Sequence, residues 1–130
     1  MNICEFFTKY CAHKVDFDGY YGAQCVDLFR QYCKDVLGIP HTGTVGGAKE
    51  LYLNYDNLPL ERQYFYRLNP SVYKLGDVVV WDGTYGHVAI VVSSEGENLL
   101  VFEQDGFTQD GAKFSLRSRK NILGVLRCKN

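Results

Sequence analysis

The stretch DFDGYYGAQCVD, residues 16–27, carries two overlapping patterns. Its acids occupy relative positions one, three and twelve, which is the spacing of carboxylates in an EF-hand calcium loop. Cys25 occupies relative position ten, where the loop is predicted to turn into a helix. A helix N-terminus favours nearby negative charge, and so favours the reactive thiolate of a cysteine. The stretch therefore predicts a cation-binding loop that leads directly into a candidate nucleophile.

Both patterns have simpler interpretations. The aspartates could instead cap the helix, and Cys25 could be structural, since free cysteine is among the most buried residue types. The loop also departs from an EF-hand, because Gly19 stands at relative position four rather than six and Asp27 replaces the longer glutamate at position twelve. The rest of the chain must decide whether a base and an orienting group exist to serve the cysteine.

Helices are predicted on both sides of this stretch. A capping-box pattern and apolar residues at helical spacing predict a short amphipathic helix at the N-terminus. A second helix is predicted for residues 23–37, with an apolar stripe along one side. A third short helix is predicted for residues 48–55, and residues 56–70 are expected to be irregular because prolines punctuate them.

The second half of the chain changes character. Apolar runs at residues 77–81, 87–92, 99–104 and 122–128 predict strands, and the first three are separated by short turns that contain glycine. Strands joined by tight turns imply an antiparallel sheet. Helices first and a sheet second indicate an α+β fold.

His87 begins a strand that is otherwise apolar. Alternation places it on the same face as Ala89 and Val91, and the small residues beside it leave space for a partner. The alternative is a histidine that merely caps the end of a strand. His13 and His41 lie in less ordered contexts and are interpreted as structural or solvent-exposed.

Glu103 interrupts the next apolar strand, which is costly unless the carboxylate is paired. A histidine on a neighbouring strand is a natural partner, since a carboxylate bonded to one ring nitrogen fixes the tautomer and stabilises the imidazolium. Asp105 shares the face of Glu103 and could assist. The alternative is a Glu103 exposed at a sheet edge. Together with Cys25 and His87, these residues could supply a nucleophile, a base and an orienting acid.

Bulk properties set limits on the function. The 130 residues are expected to form a single domain, residues 1–130, and a net charge of −1 gives no whole-molecule attraction to nucleic acid. Five cysteines match no zinc or disulfide pattern and predict free thiols. Neither a signal peptide nor an apolar run of membrane-spanning length is visible.

The charged residues after Asp110 are all basic. They are interpreted as a solvated face, and the alternative is weak attraction to a polyanion such as a cell-wall polymer. These basic residues are Lys113, Arg117, Arg119, Lys120, Arg127 and Lys129.

Several linked motifs then stand in a specific order: residues 16–28, GDVV at 76–79, YGHVAIV at 85–91 and EQD at 103–105. In this order they closely resemble the CHAP domain, the cysteine- and histidine-dependent amidohydrolase/peptidase domain of bacteriophage endolysins and bacterial cell-wall hydrolases. The resemblance implies a papain-like α+β fold with N-terminal helices packed on an antiparallel β-sheet. It also implies cleavage of an amide bond in the stem peptide or cross-bridge of peptidoglycan.

The resemblance assigns roles to the candidate residues. It makes Cys25 the nucleophile, His87 the base and Glu103 the orienting acid. The family often has asparagine two residues after the orienting acid, and this chain departs from that pattern with Asp105, to which an assisting role is assigned. The Gln24 side chain is assigned, with the backbone N–H of Cys25, to stabilise the oxyanion.

The resemblance also implies a structural calcium ion in the opening loop. Its side-chain ligands would be Asp16, Asp18 and Asp27. Tyr20 and Gly22 would each contribute a main-chain oxygen.

The implied partner is bacterial peptidoglycan, with no nucleic acid and no membrane insertion. The implied route is synthesis in the host-cell cytoplasm and action at the cell wall after holin-type release. The chain is expected to be a monomer, or part of a longer lysin that also carries a wall-binding domain. An endopeptidase is favoured over an N-acetylmuramoyl-L-alanine amidase. A non-catalytic, calcium-dependent wall-binding module and a papain-like protease with another peptide substrate remain the alternatives.

Overall fold

A computed structural model describes residues 1–19, 24–40 and 45–129. The helices and strands, in chain order, are α1 (Ile3–Tyr10), α2 (Cys25–Tyr32), α3 (Glu50–Leu53), α4 (Pro59–Tyr64), β1 (Phe65–Leu68), β2 (Val78–Trp81), β3 (His87–Glu95), β4 (Asn98–Glu103), β5 (Lys113–Ser118) and β6 (Ile122–Cys128). Within the described residues, six strands form one antiparallel sheet in the order β1-β6-β2-β3-β4-β5. The predicted α+β fold is therefore confirmed.

Alternation along the strands gives the sheet two apolar faces. Val78, Val88 and Ile90 pack in the main core with Leu28 and Phe29 of α2. The opposite face carries a smaller cluster that includes Val79, Ala89, Val91 and Val101. Full burial of each such side chain stabilises the fold by about 1.5–3 kcal/mol. The main cluster joins α2 to the centre of the sheet, so the start of α2 is held near the ends of the central strands.

The N-terminal helix begins as its sequence predicts. Asn2 Oδ1 accepts from the backbone N–H of Glu5 at 2.8 Å, and Glu5 Oε1 accepts from the backbone N–H of Asn2 at 3.0 Å. This reciprocal capping satisfies two N–H groups that the helix itself leaves unpaired. The helix then buries Phe6 and Phe7 against Phe102 of β4, so the first helix packs on the sheet.

The second predicted helix is divided into two forms. Cys25–Tyr32 is α-helical, and the segment Cys33–Leu37 widens into a π-helix that ends at Gly38 with φ of 65°. Glycine adopts this left-handed conformation without the steric cost that a Cβ would bring. The third predicted helix is shorter than expected, because only Glu50–Leu53 is α-helical.

Two sequence-based expectations about this region and the sheet were incomplete. Residues 56–70 are not irregular throughout, since they contain α4 and β1. Pro59 is the first residue of α4, a position where the missing N–H of proline costs nothing, so this proline starts a helix. Strand β5 was also not predicted, because its lysine, arginine and serines alternate with half-exposed apolar residues at the sheet edge. Among the described residues, no helix is both long and apolar enough to cross a membrane.

Candidate active site

Cys25 is the first residue of α2 and is partly exposed. Gln24 precedes it as the N-cap, and the backbone N–H of Gln24 donates to Asp27 Oδ2 at 3.1 Å. The first N–H groups of a helix have no partners within it, and the aligned peptide dipoles add positive potential there. The start of α2 therefore favours negative charge on the sulfur of Cys25.

His87 is the first residue of β3 and stands opposite Trp81 on β2, with their ring centroids 5.6 Å apart. Its Nε2 lies 2.8 Å from Oε1 of Glu103, and Cys25 is a second hydrogen-bond partner of the imidazole. Gly86, with φ of 76°, lets the chain pass close to Lys49, whose N and Cβ would lie 2.6 Å from any Cβ added there. A glycine is thus required immediately before the histidine.

Glu103 is the last residue of β4 and is 2% exposed. The oxygen that meets His87 also accepts a hydrogen bond from Nε of Arg117 on β5. The Arg117 guanidinium in turn lies over the Trp81 ring, 5.9 Å from its centroid. Three adjacent strands therefore supply the imidazole, the carboxylate and the guanidinium.

These contacts shift two pKa values in opposite directions. Burial alone would lower the pKa of His87, but hydrogen bonds to Cys25 and Glu103 raise it to about 9. Burial alone would raise the pKa of Glu103, but hydrogen bonds to His87 and Arg117 lower it to about 2. At neutral pH the pair is therefore a protonated imidazole held by an ionised carboxylate, which is the state that can accompany a thiolate at Cys25.

The sulfur and the imidazole open onto a groove of about 900 Å³. Of the other predicted site residues, Gln24, Asp105, Asp18 and Asp27 also line it, and so does Arg117. Asp105 follows β4, and its Oδ1 accepts from the backbone N–H of Phe107 at 2.8 Å, so one carboxylate oxygen is used in a local turn. The groove brings Cys25, His87, Gln24 and Asp105 to one surface, with Glu103 buried behind the histidine.

Gln104, the residue after Glu103, has no solvent exposure. Its Oε1 accepts from the backbone N–H of Val15 at 2.7 Å. Its Nε2 donates to the backbone oxygens of Val15 at 2.7 Å and Gln24 at 2.8 Å. One buried amide therefore ties the segment before the acid loop and the residue before Cys25 to the strand that carries Glu103.

The three predicted acidic ligands lie together. Asp16, Asp18 and Asp27 each place a carboxylate oxygen within 4.8 Å of the others. Arg30 is close to the same group, with its Nη1 3.4 Å from Asp18 Oδ2 and 3.6 Å from Asp27 Oδ1. Tyr20 and Gly22, the predicted main-chain ligands, lie outside the described residues.

The chemistry of this acid cluster fits calcium, which prefers several oxygen ligands of carboxylate and carbonyl type. Asp27 is 2% exposed, and its Oδ1 has no hydrogen-bond partner among the described residues. Burial raises the pKa of Asp27, although the backbone N–H of Gln24 opposes the shift. Three clustered carboxylates lie near one guanidinium, that of Arg30, and a bound metal ion could supply further positive charge.

Sequence reasoning missed Arg117, Trp81 and Gln104 as neighbours of the site. Arg117 belongs to the basic run that was interpreted as a solvated face. Arg117 pairs with buried Glu103, and Arg127 of the same run pairs with Asp77. The sequence pattern could have identified Arg117, because alternation along β5 places it on the same face of the sheet as Glu103. Strand β5 itself was not predicted.

Comparisons with known proteins identify the family of the chain. The CHAP domain family model matches residues 15–105. The endolysin PlyTW of Staphylococcus phage Twort is 35% identical over 98 residues, covering 62% of this chain and 17% of the phage protein. The D-alanyl-L-alanine endopeptidase of Streptococcus phage B30 is 34% identical over 100 residues, covering 71% of this chain and 21% of that protein. This chain thus spans only a small part of the length of the relatives it matches. The family match covers most of the chain, and the chain belongs to the CHAP domain family.

Proposed function

We propose that this chain is a thiol-dependent hydrolase domain that cleaves an amide bond of bacterial peptidoglycan. The observation that carries the proposal is the hydrogen-bonded series of Cys25, His87 and Glu103, of which Cys25 and His87 line one groove. The names of the two relatives, an endolysin and a D-alanyl-L-alanine endopeptidase, support the same class of substrate.

The reaction follows from the roles of these groups. The thiol proton of Cys25 is held on His87, and the sulfur attacks the carbonyl carbon of the amide. The tetrahedral oxyanion is stabilised by the backbone N–H of Cys25 and by the Gln24 side chain. His87 then gives its proton to the leaving amine as the carbon–nitrogen bond breaks, which leaves a thioester on Cys25. Water, deprotonated by His87, hydrolyses the thioester and returns the sulfur to its starting state.

Glu103 holds the imidazole during both steps. Its carboxylate meets Nε2, which leaves Nδ1 for the sulfur. It also stabilises the positive charge that the ring carries. Asp105, at the rim of the same groove, is assigned a weaker assisting role.

Calcium is proposed as a structural ion of the acid loop. Asp16, Asp18 and Asp27 would hold it, with main-chain oxygens of Tyr20 and Gly22. The ion would supply positive charge and fix the loop that leads into Cys25. No chemical step needs it.

Among amide bonds, a peptide bond in the stem or cross-bridge is favoured over the bond between muramic acid and L-alanine. The named activity of the streptococcal phage relative supports this choice. The chain is proposed to work as a monomer or within a longer lysin, made in the host-cell cytoplasm and reaching the wall after holin-type release.

The test is a digest of purified peptidoglycan with wild type and with Cys25→Ala, followed by mass analysis of the soluble products. New free amino termini within peptides, absent from the Cys25→Ala digest, are the expected result for an endopeptidase. Free lactyl ends would assign the amidase bond instead. Wall binding without any new product in either digest would favour a non-catalytic module, and cleavage of soluble proteins but not walls would favour a different protease.

A further inference from the structure

We propose that Arg117 is a positioning residue that locks the carboxylate of Glu103 against His87. The inference rests on the proposed function of the Cys25–His87–Glu103 site and assigns that site a fourth member, contributed by β5. Arg117 lines the same groove, but its hydrogen bond is to the carboxylate of Glu103, so it is assigned to act through Glu103.

The hydrogen bonds give the first argument. Nε2 of His87 and Nε of Arg117 meet the same oxygen, Oε1 of Glu103. A carboxylate oxygen has two lone-pair directions, so one oxygen can accept both donors. The last torsion of a glutamate side chain has a broad energy minimum. A single donor would therefore leave the carboxylate free to turn, whereas two donors from different strands fix its plane.

The support of the guanidinium gives the second argument. The Arg117 guanidinium lies over Trp81, whose ring also neighbours the imidazole of His87. The indole Nε1 donates to the backbone oxygen of Ser118 at 3.0 Å, one residue beyond Arg117. Trp81 is thus hydrogen-bonded to β5, and its ring contacts both His87 and Arg117, the two cationic partners of Glu103. The Arg117 guanidinium is therefore held by two contacts, with Glu103 and with Trp81, although the side chain is partly exposed.

The charge balance gives the third argument. Glu103 is buried, and an isolated buried carboxylate would be driven toward its neutral form. His87 carries positive charge only while it holds the extra proton, and it passes that proton to the leaving group during the reaction. Arg117 is always charged. It keeps a positive partner beside the carboxylate at the stage when the histidine is neutral.

The experiment compares Arg117→Met and Arg117→Lys with the control Arg67→Met. Arg67 is a well-matched control, because it is also part-exposed, also pairs with a carboxylate, Asp56, and also lies over aromatic rings. Its acid is exposed and lies outside the groove. The substrate is a soluble peptidoglycan fragment, so that kcat and KM can be separated.

Arg117→Met is expected to lower kcat by about tenfold to a hundredfold, as misplacement of a catalytic group by about 1 Å does. The fall in kcat should exceed any rise in KM, although Arg117 also lines the groove, because its assigned effect is on the Glu103–His87 pair. Arg117→Lys should recover part of kcat, since it restores charge but not the planar Nε donor. Arg67→Met should behave as wild type. Equal kcat for Arg117→Met and Arg67→Met, with both folded, would overturn the proposal.

A double-mutant cycle tests whether Arg117 works through the acid. In a Glu103→Gln background, Arg117→Met should cost little further activity, because the carboxylate it positions is already gone. An undiminished loss in that background would contradict the proposal. The Glu103→Gln background also removes the buried charge that could unfold the single variant.

A readout without substrate separates this inference from the proposed function. The Nε2–H proton of His87, bonded to a carboxylate, is expected as a far-downfield proton resonance in wild type, identified by its loss in His87→Gln. Arg117→Met should broaden or remove the resonance, and Arg67→Met should leave it unchanged. Should wild type fail to cut any wall fragment, the proposed reaction fails while this resonance still decides the role of Arg117. An unchanged resonance in folded Arg117→Met would refute it.

Discussion

Glu103 and Asp27 are two carboxylates with the same exposure, 2%, and their environments differ. Two cationic side chains meet one oxygen of Glu103, and its pKa falls to about 2 despite burial. Asp27 keeps one oxygen without a hydrogen-bond partner among the described residues, and burial raises its pKa. The nearest cation, Arg30, stands 3.6 Å from that oxygen.

The difference teaches that burial alone does not decide the state of an acid. Glu103, which orients His87, receives positive charge from side chains of the chain itself, so it needs no bound ligand to balance its charge. The acid loop is short of positive charge, which is the condition under which an external cation is useful. Catalysis should therefore depend on the first carboxylate directly and on the second through the position of the loop.

The largest effect is expected from Glu103→Gln. An amide in this position cannot stabilise the imidazolium and can favour the wrong tautomer, so activity should fall by about 10³–10⁴-fold. Added calcium should not restore it. The control is Glu61→Gln, which changes an equally buried glutamate on α4, outside the groove. Rates of release of soluble wall fragments measure both variants, and near-normal activity of Glu103→Gln would remove this acid from the site.

Gln104→Leu should show how far the acid loop and the end of β4, which carries Glu103, depend on one another. The change removes three hydrogen bonds that join Val15 and Gln24 to the end of β4. It also leaves buried backbone groups of Val15 unpaired, so the free energy of unfolding should fall by about 2–4 kcal/mol. Urea unfolding measures the loss.

The matched control for that prediction is Gln31→Leu on α2, which removes one hydrogen bond to Asp35 of the π-helical segment. Its cost should be on the order of 1 kcal/mol. A Gln104→Leu protein as stable as Gln31→Leu would mean that the buried amide does not join the two regions.

Asp27→Asn should show whether the acid loop binds calcium, independently of the pair formed by His87 and Glu103. In wild type, calcium at a hundredfold excess over its dissociation constant should raise the free energy of unfolding by about 2.7 kcal/mol. Asp27→Asn should lose most of this gain, and without calcium it should be at least as stable as wild type because a buried charge has been removed. Thermal unfolding with calcium or with chelator provides the measurement. A full calcium shift in Asp27→Asn would show that the ion, if bound, does not use this acid.

The smallest effect is expected on the free energy of unfolding at acidic pH. The folded pKa of Glu103, about 2, lies below its ordinary value of 4.5. This carboxylate therefore contributes stability above pH 4.5 that is lost as the pH falls toward 2. Asp27, with a raised pKa, acts in the opposite direction. Urea unfolding of wild type and Glu103→Gln across this range should give a flatter pH dependence for the variant, and parallel curves would contradict the assigned charge state.

Periodicity and local chemistry were sufficient to predict part of the site. The residue type and strand position of His87 and Glu103 are visible in the alternation of polar and apolar residues, and the helix start marks Cys25. The structure brings these three residues together as the α+β arrangement requires. Their catalytic roles remain a proposal, as does the calcium site.

The other neighbours of the site could not be predicted from the sequence because they depend on tertiary contacts. Arg117 resembles a surface residue in a basic run until the pairing of β4 with β5 places it opposite Leu99, from where its side chain reaches Glu103. Gln104 is a polar residue at the end of an apolar strand, and its burial depends on the packing of Val15 and Gln24 around it. Residues 59–68 were expected to be irregular, because in the sequence a proline that begins a helix, such as Pro59, looks the same as one in an irregular segment.

The most direct test of the central claim is the initial rate at which purified bacterial walls lose turbidity, measured for wild type and Cys25→Ala with calcium present. The account predicts that wild type clears the walls. It predicts that Cys25→Ala, with an unchanged melting temperature, does not. Clearing by Cys25→Ala at the wild-type rate would contradict the thiol mechanism.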